Sequence, residues 1–181
     1  MTVSRLAIKH GFIAGQEIFV SPTKHKDCKG HEGLLPYAER MYAEHCKGKK
    51  NKSGQPKTLF VICDSLQSLN DGKYGFDTTG KTADHVVEAL TSWAKAMKNV
   101  VIIFIGQVTK DGTFAGSNKI KHAIDGHFHI CFNSDKRSEM HGYRMFLTKK
   151  NRFGHAGQGM YYTLESHGLE VVGPTGECHA E

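Results

Sequence analysis

Two continuous apolar runs, TLFVICD (58–64) and NVVIIFIGQ (99–107), most constrain what this chain can become. A strand with one wetted face alternates apolar and polar residues, whereas an unbroken apolar run marks a strand covered on both faces, as in parallel sheets. Between the runs, ADHVVEALTSWAKAM (83–97) spaces its apolar residues along one helix face. Strand, helix and strand in that order make a crossover unit. The expected fold is therefore α/β, with a mainly parallel central sheet flanked by helices.

The rest of the chain extends this core. QEIFVS (16–21) reads as a short strand, and GLLPYAERMYAEHC (33–46) as a helix with Leu35, Ala38, Met41, Tyr42 and His45 on one side. KGKKNKSGQPK (47–57) has no apolar residue and reads as a mobile basic linker or an excursion. After the second apolar run come a short helix (117–125) and strands near 127–132 and 142–149, which are open to antiparallel pairing. GMYYTLE (159–165) and LEVVG (169–173), joined by Ser-His-Gly, read as a hairpin. The domain reading is a divergent segment 1–57 containing the linker 47–57, a core 58–176 and a tail 177–181.

The net charge of +6 favours an anionic partner, with nucleic acid or a nucleotide as the natural candidates. The longest apolar run, Val100 to Ile105, is far shorter than the ~20 residues of a membrane span, and no secretory signal is expected. Five cysteines without framework spacing read as a reduced, cytoplasmic set. Cys28, His31, His45 and Cys46 come nearest to metal spacing, but adjacent His45 and Cys46 rarely serve one tetrahedral site. A solvated helical surface is the preferred reading there.

Candidate chemistry lies at the carboxyl ends of the strands, where open α/β sheets bind ligands. Asp64 ends the first run, and an acid so placed can hold Mg²⁺ through water. A plain strand-end acid or helix cap is the alternative. Gln107 and Thr109 leave the second run beside it, either as a γ-phosphate sensor or as a polar turn. LTKKNRFGHAGQG (147–159) gathers Lys149, Lys150 and Arg152 where a strand meets a glycine-rich loop. By itself it reads as a solvated basic turn.

Taken in order, these stretches resemble the RadA/Sms branch of the RecA-type ATPases. The residues that carry the resemblance are Asp64-Ser65-Leu66-Gln67, then Gly106-Gln107-Val108-Thr109-Lys110-Asp111-Gly112 and Ala115-Gly116. Ile120-Lys121-His122-Ala123-Ile124-Asp125 and the complete Lys150-Asn151-Arg152-Phe153-Gly154 follow. Gln107 stands where that family carries His, Ser117 where it carries Pro, and Lys121 where it carries Glu.

The resemblance implies a RecA-like core acting in DNA recombination or repair, with ATP and Mg²⁺ bound at subunit interfaces. Asp64 and Ser65 would belong to the nucleotide and Mg²⁺ site, and Gln107 to the phosphate sensor. Lys150 and Arg152 would act in trans on a neighbour's nucleotide, in a loop that Gly154, Gly157 and Gly159 let approach closely and that Phe153 anchors. Two loops would touch single-stranded DNA, one with Lys73 and Tyr74, the other with Lys110, Phe114, Lys119 and Lys121. Lysine interleaved with an aromatic residue suits a stacked, phosphate-bearing strand.

An ATPase of this class cradles phosphates with G-x-x-x-x-G-K-[ST]. The chain is expected to lack such a loop of its own. KHGFIAGQE (9–17), ahead of the first strands, has no Gly-Lys-Ser/Thr, and no acid closely follows QEIFVS as a catalytic base. The expectation is a divided ATPase whose phosphate loop comes from a protein partner or homologous subunits. The alternative is a degenerate, non-hydrolysing DNA-binding or scaffold protein of the same fold. A divided enzyme would expose a large apolar surface.

Overall fold

The apolar run at 58–64 becomes strand β1 (Leu59–Asp64) and the run at 99–107 becomes β2 (Val100–Ile105), paired in parallel and in register. A computed structural model of the chain describes residues 34–66, 80–107 and 117–174. The expected strand at 16–21, and Cys28 and His31, lie outside them. The chain divides into two compact units, whose described residues run up to Ala123 in one and from Ile124 in the other.

In the first unit, helix α1 (Leu34–His45) buries Leu34, Ala38 and Met41, a spacing that returns to one face at each turn. Leu34 leads that face, in place of the expected Leu35. Helix α2 (Gly80–Ala96) buries Ala83, Val86, Val87 and Leu90, with Val87 and Leu90 wholly inaccessible. The Tyr42 and Trp93 rings meet edge to face, 6.0 Å between centroids, and join α1 to α2. Tyr42 also donates its hydroxyl proton to Asn99 Oδ1 at 2.9 Å. Asn99 in turn donates its side-chain amide to the Lys57 carbonyl, and its backbone carbonyl accepts the Leu59 N–H. One residue thereby ties the end of α1, the start of β1 and the turn before β2.

Helix α3 (Asn118–Ala123) is fastened to α2 at both ends. Ser117 Oγ donates to Asp84 Oδ1 while accepting the Ile120 N–H, as an N-cap does. At the other end, Lys95 Nζ donates to the Ala123 carbonyl at 3.1 Å.

The second unit is an antiparallel meander of β3 (Gly126–Phe132), β4 (Arg144–Asn151), β5 (Gly159–Glu165) and β6 (Gly168–Pro174), in that order across the sheet. The mainly parallel sheet expected from the sequence is therefore not what the described strands form: the parallel sheet has two strands and the antiparallel one has four. The cause is connection length. Parallel neighbours need a crossover of about a dozen residues or more, and the linkers 133–143, 152–158 and 166–167 are shorter. The first is held by buried Asn133, whose amide donates to Ser138 Oγ and the Met140 carbonyl and whose Oδ1 accepts the Asp135 N–H.

Among the described residues, each sheet has an exposed apolar face. On β1 and β2 it comprises Phe60, Ile62, Val101, Ile103 and Ile105, with Ile62 63% exposed. On the meander it includes Phe128, Ile130, Phe132, Leu164, Leu169 and Val171, with Leu169 69% exposed. Continuous apolar runs of this kind are those expected to be covered on both faces.

Candidate nucleotide and DNA site

The register of β1 with β2 decides the geometry at the first strand ends. Asp64 lies opposite Ile105, so Asp64-Ser65 and Gly106-Gln107 leave neighbouring parallel strands at the same end of the sheet. Asp64 and Gln107 are exposed, and Ser65 is half-buried. The Asp64–Ser65 peptide bond is cis. Behind the acid, Cys63 points into the core, where burial raises its thiol pKa to about 12. Alternation along the strand gives this division, an inert thiol inward and a carboxylate outward.

Among the described residues no three His, Cys, Asp or Glu side chains cluster as a metal site. Mg²⁺ does not need such a cluster, since it takes one or two carboxylates, phosphate oxygens and several waters. The exposed Asp64 carboxylate with the Ser65 hydroxyl next to it suits the outer ligands of that ion and supplies only part of its donor set.

The Lys150-Asn151-Arg152-Phe153-Gly154 turn is built from its own side chains. Asn151 Oδ1 accepts the Phe153 N–H at 3.1 Å, and its amide donates to the His155 carbonyl at 3.4 Å. A Cβ on Gly154 would stand 2.9 Å from that amide nitrogen, so glycine lets the turn close. Gly157, with φ 82°, returns the chain to the sheet by donating to the Thr148 carbonyl.

Both cations of the turn reach the corner that precedes β3. Lys150 Nζ donates to the Ile124 carbonyl at 2.7 Å, and Arg152 Nη1 meets Asp125 Oδ1 at 2.7 Å. The Arg152 N–H also donates to the Asp125 carbonyl. Asp125 and the KNRFG turn, two separate pieces of the sequence pattern, are thus one structural unit, a pairing that separation along the chain concealed. Phe153 does not anchor the turn as expected. It is 85% exposed at the tip.

On β3, His129 has its pKa lowered by burial first and by the Lys149 charge second. Of the expected DNA residues, Lys119 is exposed and Lys121 half-buried on α3. Lys73, Tyr74, Lys110 and Phe114 lie outside the described residues.

One sequence expectation needs correction. Gly75 to Thr82, GFDTTGKT, satisfies G-x-x-x-x-G-K-[ST], so the chain does contain the phosphate-loop spacing. Gly80 is the first residue of α2, and a phosphate loop does run into a helix. Among the described residues, the strand before the octet is β1, which ends at Asp64. It sits after the acid-ended strand, where the RadA order puts a DNA-facing loop.

No family model matches the chain. Over 120 residues, 64% of its length, it is 35% identical to the DNA repair protein RadA of Mycolicibacterium smegmatis. It is 33% identical over 124 residues to that of Haemophilus influenzae, covering 67% of the chain, and 30% identical over 138 residues to that of Streptococcus pyogenes, covering 75%. These stretches span 25%, 26% and 29% of the respective relatives, about a quarter of their length.

Proposed function

We propose, from the premise that this chain is a RadA/Sms-like relative within the RecA-type proteins, that it serves in DNA repair or recombination as a subunit whose nucleotide site is completed by another polypeptide. The RadA likeness supports an α/β RecA-like fold and the repair role. The observation that carries the site reading is the in-register pairing that puts Asp64 and Gln107 at one sheet end. ATP with Mg²⁺ would supply the phosphoryl chemistry. Asp64 and Ser65 would orient the ion's water shell, and Gln107 would donate to the terminal phosphate. Lys150 and Arg152 would place charge against a neighbouring subunit's nucleotide. Lys119 and Lys121, with Lys73, Tyr74, Lys110 and Phe114, would contact single-stranded DNA. The open apolar faces support completion by a partner.

The test is DNA-stimulated ATP hydrolysis by this chain reconstituted with a phosphate-loop partner co-purified from its host. Arg152→Ala is expected to lower the rate about 10³-fold or more, the scale of an arginine finger. An unchanged rate would remove the trans role. The Arg152–Asp125 pair supports the alternative, a degenerate DNA-binding or scaffold role in which the arginine braces the turn.

The octet at 75–82 favours a further reading, in which the chain holds phosphate itself. Binding of a fluorescent ATP analogue by the chain alone, lost in Lys81→Ala, would establish it. No binding by the chain alone leaves the composite site standing.

A further inference from the structure

The basic segment 47–57 is absorbed by none of these readings, and of linker or excursion it takes the second form. It folds back on itself through a Lys50–Pro56 bridge, with Lys57 N–H donating to the Lys49 carbonyl at 3.0 Å and Asn51 N–H to the Gln55 carbonyl at 2.8 Å. Asn51 Oδ1 fills the turn by accepting the N–H groups of Ser53 and Gln55. Gly54, at φ 77°, supplies the left-handed residue that closes it. Its base is held by the Asn99 amide on the Lys57 carbonyl, and Lys49 Nζ donates to the Glu44 carbonyl.

The hairpin displays Lys47, Lys49, Lys50 and Lys52 as exposed residues and Lys57 half-buried, with exposed Lys98 next to Asn99. Residues 47–57 contain no carboxylate and no aromatic ring. The segment leads into the amino end of β1, whereas Asp64 closes the carboxyl end, so the two are at opposite ends of one strand.

We infer that this hairpin is a second nucleic-acid contact, one that takes the phosphate backbone of duplex DNA. Single-strand binders combine cations with aromatic platforms on which bases stack. A ring-free set of lysines on a fixed turn offers phosphates charge and bases no platform, which suits the stacked bases and outward phosphates of a duplex, whatever its sequence. The chain would then hold duplex at the amino end of β1, independently of whether the strand ends at Asp64 and Gln107 serve nucleotide.

The full-length chain is titrated by fluorescence anisotropy against a short labelled duplex, and against one of its strands, across a salt series. Lys50→Ala with Lys52→Ala, both exposed and remote from the core, is expected to weaken duplex binding equally for unrelated sequences. The slope of log affinity against log salt should become shallower by about two, at ~0.9 per lost phosphate contact. Asn51→Ala keeps every lysine but unties the turn, and should also weaken the duplex. An unchanged slope for the lysine pair overturns the proposal. An unchanged titration for Asn51→Ala overturns the fixed surface, reducing it to a run of charge. Loss of polyglutamate binding with duplex binding intact would assign the hairpin to an acidic protein and overturn it too.

Discussion

Cys63 and Asp64 are adjacent yet have opposite fates, because strand geometry sends one inward and the other to solvent. The buried thiol, with its pKa raised from 9.0 to about 12, is protonated at neutral pH and is no nucleophile there. Iodoacetamide at pH 8 should therefore leave Cys63 unmodified in the folded chain and label it after denaturation, as read by peptide mass spectrometry. The same shift has a signed effect on stability. The folded pKa lies above the unfolded one, so the contribution is complete below pH 9 and is lost as pH climbs towards 12. Urea titrations across that window should show stability falling, and Cys63→Ala should remove that part of the slope. Asn151 shows a different legibility. Its place in KNRFG could be read from the sequence, but its job of holding the turn with both ends of its amide could not, since the backbone groups it meets belong to the folded turn.

Helix α3 is the element where a departure from the family pattern acquires a physical account. Ser117 stands where the RadA pattern has proline, and it both caps Ile120 and donates to Asp84 on α2. Ser117→Ala should cost about 1 kcal/mol, the usual worth of an N-cap side chain, measured by chemical denaturation. If α3 presents Lys119 to DNA, the same substitution should weaken single-strand binding without changing the charge. Equal binding would show that the clamp matters to stability alone. The hairpin β5–β6 is legible as two strand-like runs joined by Ser-His-Gly, of which the structure assigns the glycine to β6. The antiparallel pairing of β3 with β4 was only partly so, because the linker between them is organised by buried Asn133, a contact that depends on the folded loop.

For the chain as a whole, the open apolar faces are the dominant feature. Phe60, Ile62, Val101, Ile103 and Ile105 in one unit, and Phe128, Ile130 and Phe132 among those in the other, are too many exposed large side chains to be scattered singles. The isolated chain is expected to self-associate at micromolar concentration or to co-purify with a partner, and sedimentation velocity distinguishes these from a monomer. Ile62→Lys with Ile103→Lys, side chains paired across β1 and β2 on the open face, should shift the distribution towards monomer. A chain that sediments as a monomer before substitution would show that these faces recruit nothing. The net charge of +6 works in the other direction, keeping copies apart while drawing anions.

The sequence by itself determined the parallel β1–α2–β2 unit, the terminal hairpin, the RadA likeness and the residue types at the strand ends. All of these rest on local periodicity or on short motifs, which need no knowledge of distant neighbours. The pairing of Arg152 with Asp125, the exposure of Phe153, the dominance of the antiparallel sheet and the lysine hairpin were decided only in three dimensions. Each depends on which backbone carbonyl, carboxylate or strand edge is brought alongside by folding, and a linear pattern does not record distances between residues far apart along the chain.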